Sequence, residues 1–289
     1  KQIEQGNSRP RRIWFGAAFA ALSLVVIGIR SPLALPFAAP VALLWVAAPW
    51  LAAWLSQRPH TRDPNRELTT DDRLLMRTIA AKTWRFFETF VTEQDHFLPP
   101  DNYQEDPRGV LAHRTSPTNI GLYLLSIVAA RDLRLITLGE LVVRSDNTLT
   151  TIDKLEKREG HVLNWYDTKT LQPLEPQYVS TVDSGNLAAY LWTLREASKD
   201  LLDCSILDVD ALLGVRDCLR IARDEGHPTR ELEQSLTAVM QGMGGNLAAD
   251  VAALSKLRAA MPSEREHWTK RAAASLDALI FEVRTLAPY

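Results

Sequence analysis

SPTNIGLYLLSIVAARDL, residues 116–133, is the stretch whose reading decides the fold. Ser116 is a good N-cap residue, and Pro117 suits a first helical turn, where its missing N–H is not needed. Ile120, Tyr123, Leu124, Ile127 and Val128 then recur at three-to-four spacing, which places them on one helical face. The pattern repeats outward in both directions. Leu74, Leu75, Ile79, Trp84, Phe87 and Phe90 or Val91 mark an earlier helix behind a capping stretch, Thr70-Asp71-Asp72. Later segments run over 138–155, 184–197, 208–223, 229–241, 248–261 and 263–286. Period-two alternation survives only in short pieces near Leu171–Val179, so the class is all-α.

Two apolar runs stand before this helical region. Residues 13–29 and 33–55 contain no charged side chain, although the chain as a whole carries 33 Lys and Arg against 35 Asp and Glu. The first run is 17 residues long, the short end of what spans a bilayer, and the second contains Pro36, Pro40 and Pro49. Trp14 lies at one edge and Trp50 and Trp54 at the other, as an aromatic belt requires. Arg9, Arg11 and Arg12 precede the pair, Arg58, Arg62 and Arg66 follow it, and the connection carries only Arg30. The positive-inside rule then predicts a transmembrane hairpin over 1–58 with both ends in the cytoplasm. A buried core hairpin and an interfacial re-entrant pair are the competing readings. A polar linker, 59–69, separates the hairpin from a helical domain over 70–289.

The 289 residues are 46% hydrophobic, enough for a substantial core. A formal charge of −2 gives no basic excess to neutralise phosphates, so no nucleic-acid partner is expected. Cys204 and Cys218 have no Cys or His neighbours at metal spacing and read as two reduced thiols. No metal site is predicted, and no Gly-rich phosphate loop, HExxH or CxxC occurs. The opening on Lys1 and the ending just as a helix finishes read as a segment cut from a longer chain.

Function concentrates in two long connections between helices. The second, GHVLNWYDTKTLQPLEPQYVSTVDSGN over 160–186, holds an excess of aromatics, carboxylates and amides. Such side chains suit a sugar: flat rings for its C–H face, carboxylates and amides for its hydroxyls. The candidates there are Asn164, Trp165, Asp167, Glu175, Asp183 and Asn186. Arg114 and Asn119, at the entrance to the first-quoted helix, join them from the other connection. The competing reading is ordinary loop and capping chemistry, with Asp183 as a helix N-cap and Trp165 in the core. Glycoside chemistry needs two carboxyl groups flanking the scissile bond. Asp101, Glu105, Asp167, Glu175 and Asp183 are available, no spacing singles out a pair, and the catalytic residues stay unassigned.

HRTSPTNIGLYLLSIVAARDL at 113–133, DKLEKREGH at 153–161 and NWYDTKTLQPLEPQYVSTVDSGNLAAYL at 164–191 resemble the middle region of bacterial cyclic β-1,2-glucan synthases. The resemblance implies a large inner-membrane protein that polymerises glucose from UDP-glucose and closes the chain into a ring. It implies further that this chain holds the last membrane hairpin and the N-terminal part of a glycoamylase-like (α/α)6 transglycosylase domain. On that reading the helices form an incomplete toroid, facing the cytoplasm of a multi-pass inner-membrane protein. The segment contributes β-1,2-glucan-binding loops, contacts other domains of the synthase, holds no cofactor and is inactive alone. An irregular helical bundle is the competing fold. A non-catalytic scaffold between domains and an endo-β-1,2-glucanase-like hydrolase are the competing functions.

Overall fold

The structure, a computed structural model, describes residues 10–55, 68–261 and 266–287. Arg9, Arg58, Arg62, Arg66 and the linker up to residue 67 lie outside the described residues, as do the side chains of Arg11, Arg12 and Trp14. The chain divides into two compact units, Lys1–Leu68 and Thr69–Tyr289.

In the first unit, α1 (Pro10–Arg30) and α2 (Leu35–Leu55) pack on one another through a 3-10 turn, Pro32–Ala34. Ala17 and Ala20 are buried, whereas Phe15, Phe19, Leu22, Val25, Phe37, Leu44 and Trp45 are exposed. Pro40 and Pro49 sit inside α2 without ending it. Among the described residues one stretch, the 21 residues Pro32–Ala52, is long and apolar enough to cross a membrane; the apolar part of α1, Phe15–Arg30, is shorter. A helix with apolar side chains on nearly every face has no polar side to give to water, which is the signature of burial in lipid or in protein.

The second unit is helical, with eight α-helices among the described residues: α3 (Thr70–Phe90), α4 (Pro117–Asp132), α5 (Leu138–Lys154), α6 (Thr181–Asp200), α7 (Leu213–Asp224), α8 (Arg230–Gly242), α9 (Leu247–Ala260) and α10 (His267–Leu286). The all-α class read from the periodicity is what the structure has. Ser116 caps α4 by accepting from Asn119 N–H at 3.2 Å. Several boundaries differ from the sequence reading: α7 begins at Leu213 after a 3-10 turn, α10 begins at His267, and two caps move. Thr69, one residue earlier than expected, caps α3 in a reciprocal box with Asp72. Ser180 caps α6, so Asp183 lies one turn inside the helix rather than at its cap.

The predicted α4 face enters the core, whereas of the predicted α3 face Trp84 is buried but Leu75 and Ile79, 59% and 52% exposed, are not. Ile120, Tyr123, Leu124 and Ile127 of α4 are buried together with Trp84 of α3, Leu187 and Leu194 of α6, Leu219 of α7 and Trp268 and Leu276 of α10. α4 packs on α5 and α6, and α10 on α5, α7 and α9. Among the described residues, strands are confined to two-residue pieces in the two long connections. β1 (Tyr103–Gln104) pairs with β2 (Val110–Leu111), β3 (Arg114–Thr115) with β6 (Tyr166–Asp167), and β4 (Lys157–Arg158) with β5 (His161–Val162), all antiparallel. The Leu171–Val179 stretch, where strand pieces were expected, forms only a single bridge, Tyr166 to Pro173.

Candidate functional site

The β3–β6 ladder joins the two long connections, setting Arg114 opposite Asp167 and Thr115 opposite Tyr166. Under it lies a buried clasp. Asp95, 3% exposed, accepts from His113 Nδ1 at 2.7 Å and from the Thr168 hydroxyl. Thr168 N–H donates to the His113 carbonyl at 3.1 Å, and His96 Nδ1–H donates to the Thr168 carbonyl at 2.9 Å. A buried carboxylate is stable only when hydrogen-bonded, and here the donors come from both connections, so the clasp fixes their separation. Asp95 and Thr168 escaped sequence reasoning because a polar loop residue gives no signal of its burial.

Above the ladder, the Asp101 carboxylate gathers three side chains. Arg114 donates to Oδ2 from Nε at 3.1 Å and Nη2 at 2.9 Å, Asn102 Nδ2 donates to the same oxygen at 3.0 Å, and Asn119 Nδ2 donates to Oδ1 at 3.3 Å. The Arg114 guanidinium lies 5.2 Å from the Trp165 ring centroid, a cation–π contact. Next to Asn119 on the first turn of α4, Thr118 donates to Asp183 Oδ1 at 2.5 Å and accepts from Asn186 Nδ2 at 3.1 Å. Asp101, Arg114, Thr118, Asn119, Trp165, Asp183 and Asn186 thus form one polar and aromatic patch at the N-terminal ends of α4 and α6.

Five of the eight residues singled out in the sequence meet there: Arg114, Asn119, Trp165, Asp183 and Asn186. The other three serve the loop that carries Trp165. Asn164, 3% exposed, donates its N–H to the Tyr178 carbonyl at 3.0 Å and accepts Tyr178 N–H on Oδ1 at 3.2 Å. Asp167 Oδ1 accepts from Lys169 N–H at 2.9 Å, Thr170 N–H at 2.8 Å and the Thr170 hydroxyl at 3.1 Å. Partial burial works against its charged form, but the Thr170 and Lys169 hydrogen bonds outweigh that and hold the carboxyl below its usual range. Glu175 is exposed and accepts from Gln177 N–H at 3.2 Å. Thr118 and Asp101 are the functional candidates the sequence reading undervalued. Thr118 stood in a quoted motif block and Asp101 among the available carboxylates, and only the fold shows what they touch.

The patch is an open surface. A cavity of about 490 Å³ lies elsewhere, lined by Val91, Phe97, Tyr123, Val143 and Phe281 among others, and shares no residue with it. That space is mostly apolar and offers little to a polyhydroxylated ligand; the chemistry favours the patch. Among the described residues no group of three His, Cys, Asp or Glu side chains is placed to hold a metal ion.

A family model described as "Protein of unknown function (DUF3131)" matches residues 78–207, which include both long connections and α4 to α6. Over 252 residues the chain is 41% identical to cyclic β-(1,2)-glucan synthase NdvB of Rhizobium meliloti (strain 1021). The match takes in 83% of this chain and 9% of that protein. The resemblance carried by the motif blocks therefore holds, and the chain is a relative of a segment of cyclic β-(1,2)-glucan synthase.

Proposed function

We propose that this chain supplies one wall of the glucan-binding surface in a membrane-bound cyclic β-1,2-glucan synthase. The observation that carries the reading is the convergence of Asp101, Arg114, Asn119 and Trp165 with Thr118, Asp183 and Asn186, from stretches far apart in sequence, inside a segment related to a glucan synthase. Amide, hydroxyl and guanidinium groups beside an indole are the donors, acceptors and platform that a sugar ring uses.

On this reading the patch positions linear β-1,2-glucan for ring closure by transglycosylation, and the acid and nucleophile lie in other parts of the synthase. Asp101 and Asp183 support this division. Each is already engaged by neighbouring donors, an arrangement suited to shaping a surface. The helical unit, which follows the α1–α2 hairpin in the chain, forms part of an (α/α)6 toroid on the cytoplasmic side of the inner membrane, with UDP-glucose the donor for the whole enzyme.

Isothermal titration of the chain with linear β-1,2-glucan oligosaccharides tests the proposal. Binding is expected, with Trp165→Ala and Asn119→Ala each weakening it by about tenfold, or roughly 1.4 kcal/mol. Heat no greater than dilution for the unsubstituted chain would sink the proposal and leave the scaffold reading in its place.

A further inference from the structure

Two asparagine side chains at the N-terminal ends of α4 and α6 take their orientation from the carboxylates beside them. An ionised carboxylate only accepts, whereas an amide has one accepting end and one donating end. Asn119 therefore turns Nδ2 to Asp101 Oδ1, at 3.3 Å, which leaves its own Oδ1 free. At Asn186 the same selection passes through a hydroxyl. Thr118 has one hydrogen to give, and gives it to Asp183 Oδ1 at 2.5 Å. Only lone pairs then face Asn186, which turns Nδ2 to Thr118 at 3.1 Å and keeps Oδ1 away from it. Neither amide oxygen has a hydrogen-bond partner among the described residues, and neither is one of the buried polar atoms left unpaired, so both reach solvent.

Reversal of the Thr118 hydroxyl would reverse Asn186 with it, because the hydroxyl would then donate to the amide oxygen and leave the amide nitrogen outermost. Asp183 prevents this by holding the hydroxyl hydrogen. An amide oxygen facing solvent bonds only a donor, and a sugar hydroxyl supplies one. We infer that Asp183 and Asp101 are positioning residues: Asp183 acts through Thr118 on Asn186, and Asp101 acts on Asn119, so that two carbonyl oxygens accept from hydroxyls of the glucan. The patch then selects for hydroxyl hydrogens, and a site built to bond a hydroxyl strongly rejects the analogue that lacks it. This assignment rests on the glucan-binding reading of the patch. Asp101 also holds Arg114, so the Asp183 arm gives the cleaner test.

The full chain in detergent is titrated with linear β-1,2-glucan oligosaccharides, and each variant is melted to confirm that it folds. Thr118→Val keeps the shape and removes the hydroxyl, and should weaken binding about tenfold. Thr118→Ser restores the hydroxyl and should recover most of that loss. Asp183→Ala should weaken binding in the unsubstituted background, yet cost no more than about twofold once Asn186 is alanine. That cycle carries the test if Thr118→Val does not fold. Oligosaccharides with fluorine in place of one free hydroxyl at a time keep the size but cannot donate. At least one should bind about tenfold more weakly, and its loss should shrink to about twofold in Asn186→Ala. Heat no greater than dilution for the unsubstituted chain removes the glucan reading and this inference together. Binding unchanged by Thr118→Val, an equal cost of Asp183→Ala in both backgrounds, or fluorinated oligosaccharides that bind as tightly as the parent overturn the inference alone.

Discussion

Arg271 of α10 joins three other stretches of the helical unit through charged hydrogen bonds. It bonds Glu88 at 2.9 Å, Glu140 at 2.8 and 3.0 Å, and the Leu135 carbonyl at 2.7 Å, tying α3, α5 and the α4–α5 corner to α10. Burial alone would raise the Glu140 pKa. The facing Arg271 and the Thr137 N–H outweigh it and hold the carboxyl below its usual range. A depressed folded pKa stabilises fully above the unfolded value, about 4.3, and that contribution is lost as pH falls through the folded value. Glu140→Gln should therefore lower the urea midpoint at pH 7 and approach the unsubstituted protein in acid; a gap that widens toward pH 3 would refute this. The sequence displayed every member of this cluster, but partners 131 positions apart cannot be matched without the fold. Cys218 teaches the same lesson: burial pushes its thiol up to about 12, while Cys204 is exposed, and nothing in their spacing distinguishes them.

At the level of elements, the α4–α6 crossing sets the geometry of the candidate patch. A Cβ on Gly121 would come 2.2 Å from Tyr190 Cδ2 and 3.1 Å from its Cβ, so the helices approach closely only because position 121 is glycine. Gly121→Ala should cost about 1–3 kcal/mol by overpacking. By parting Thr118 from Asp183 it should also weaken any glucan binding; denaturant melts and calorimetry on one preparation read both effects, and unchanged stability would contradict the close contact. The second connection depends on Tyr166, fully buried, whose hydroxyl accepts from Leu163 N–H at 2.7 Å and donates to the Glu156 carbonyl at 2.6 Å. Tyr166→Phe strands both groups and should cost about 1–3 kcal/mol, with faster proteolysis within 155–180 as the local readout. Helix existence and the Ser116 cap were legible in the sequence because they depend on neighbours in the chain. The α6 start was missed by three residues, because Ser180, Thr181 and Ser184 all have capping chemistry and packing chooses among them.

For the whole molecule, the contrast between the two units is one of surface. The first exposes Phe15, Phe19, Phe37, Trp45, Trp50 and Trp54, an apolar surface that calls for cover by lipid or by protein. The full chain is expected to resist carbonate extraction from membranes, whereas a chain beginning at Thr69 should be released and keep its helical circular dichroism spectrum. Release of the full chain would remove the membrane reading.

What the sequence determined by itself was whatever depends on local spacing: the all-α class, the apolar runs, the existence of each helix, and the likeness to glucan synthases carried by its motif blocks. Periodicity and capping are properties of neighbouring residues, so they survive without coordinates. Tertiary structure alone decided that Asp95, His113 and Thr168 clasp the two connections. It also set Arg114 over Trp165, closed Thr118 on Asp183, and committed Asn164 and Asp167 to holding their own loop. The physical reason is that a polar side chain's role follows from its burial and its partner, and both arise only when distant segments pack.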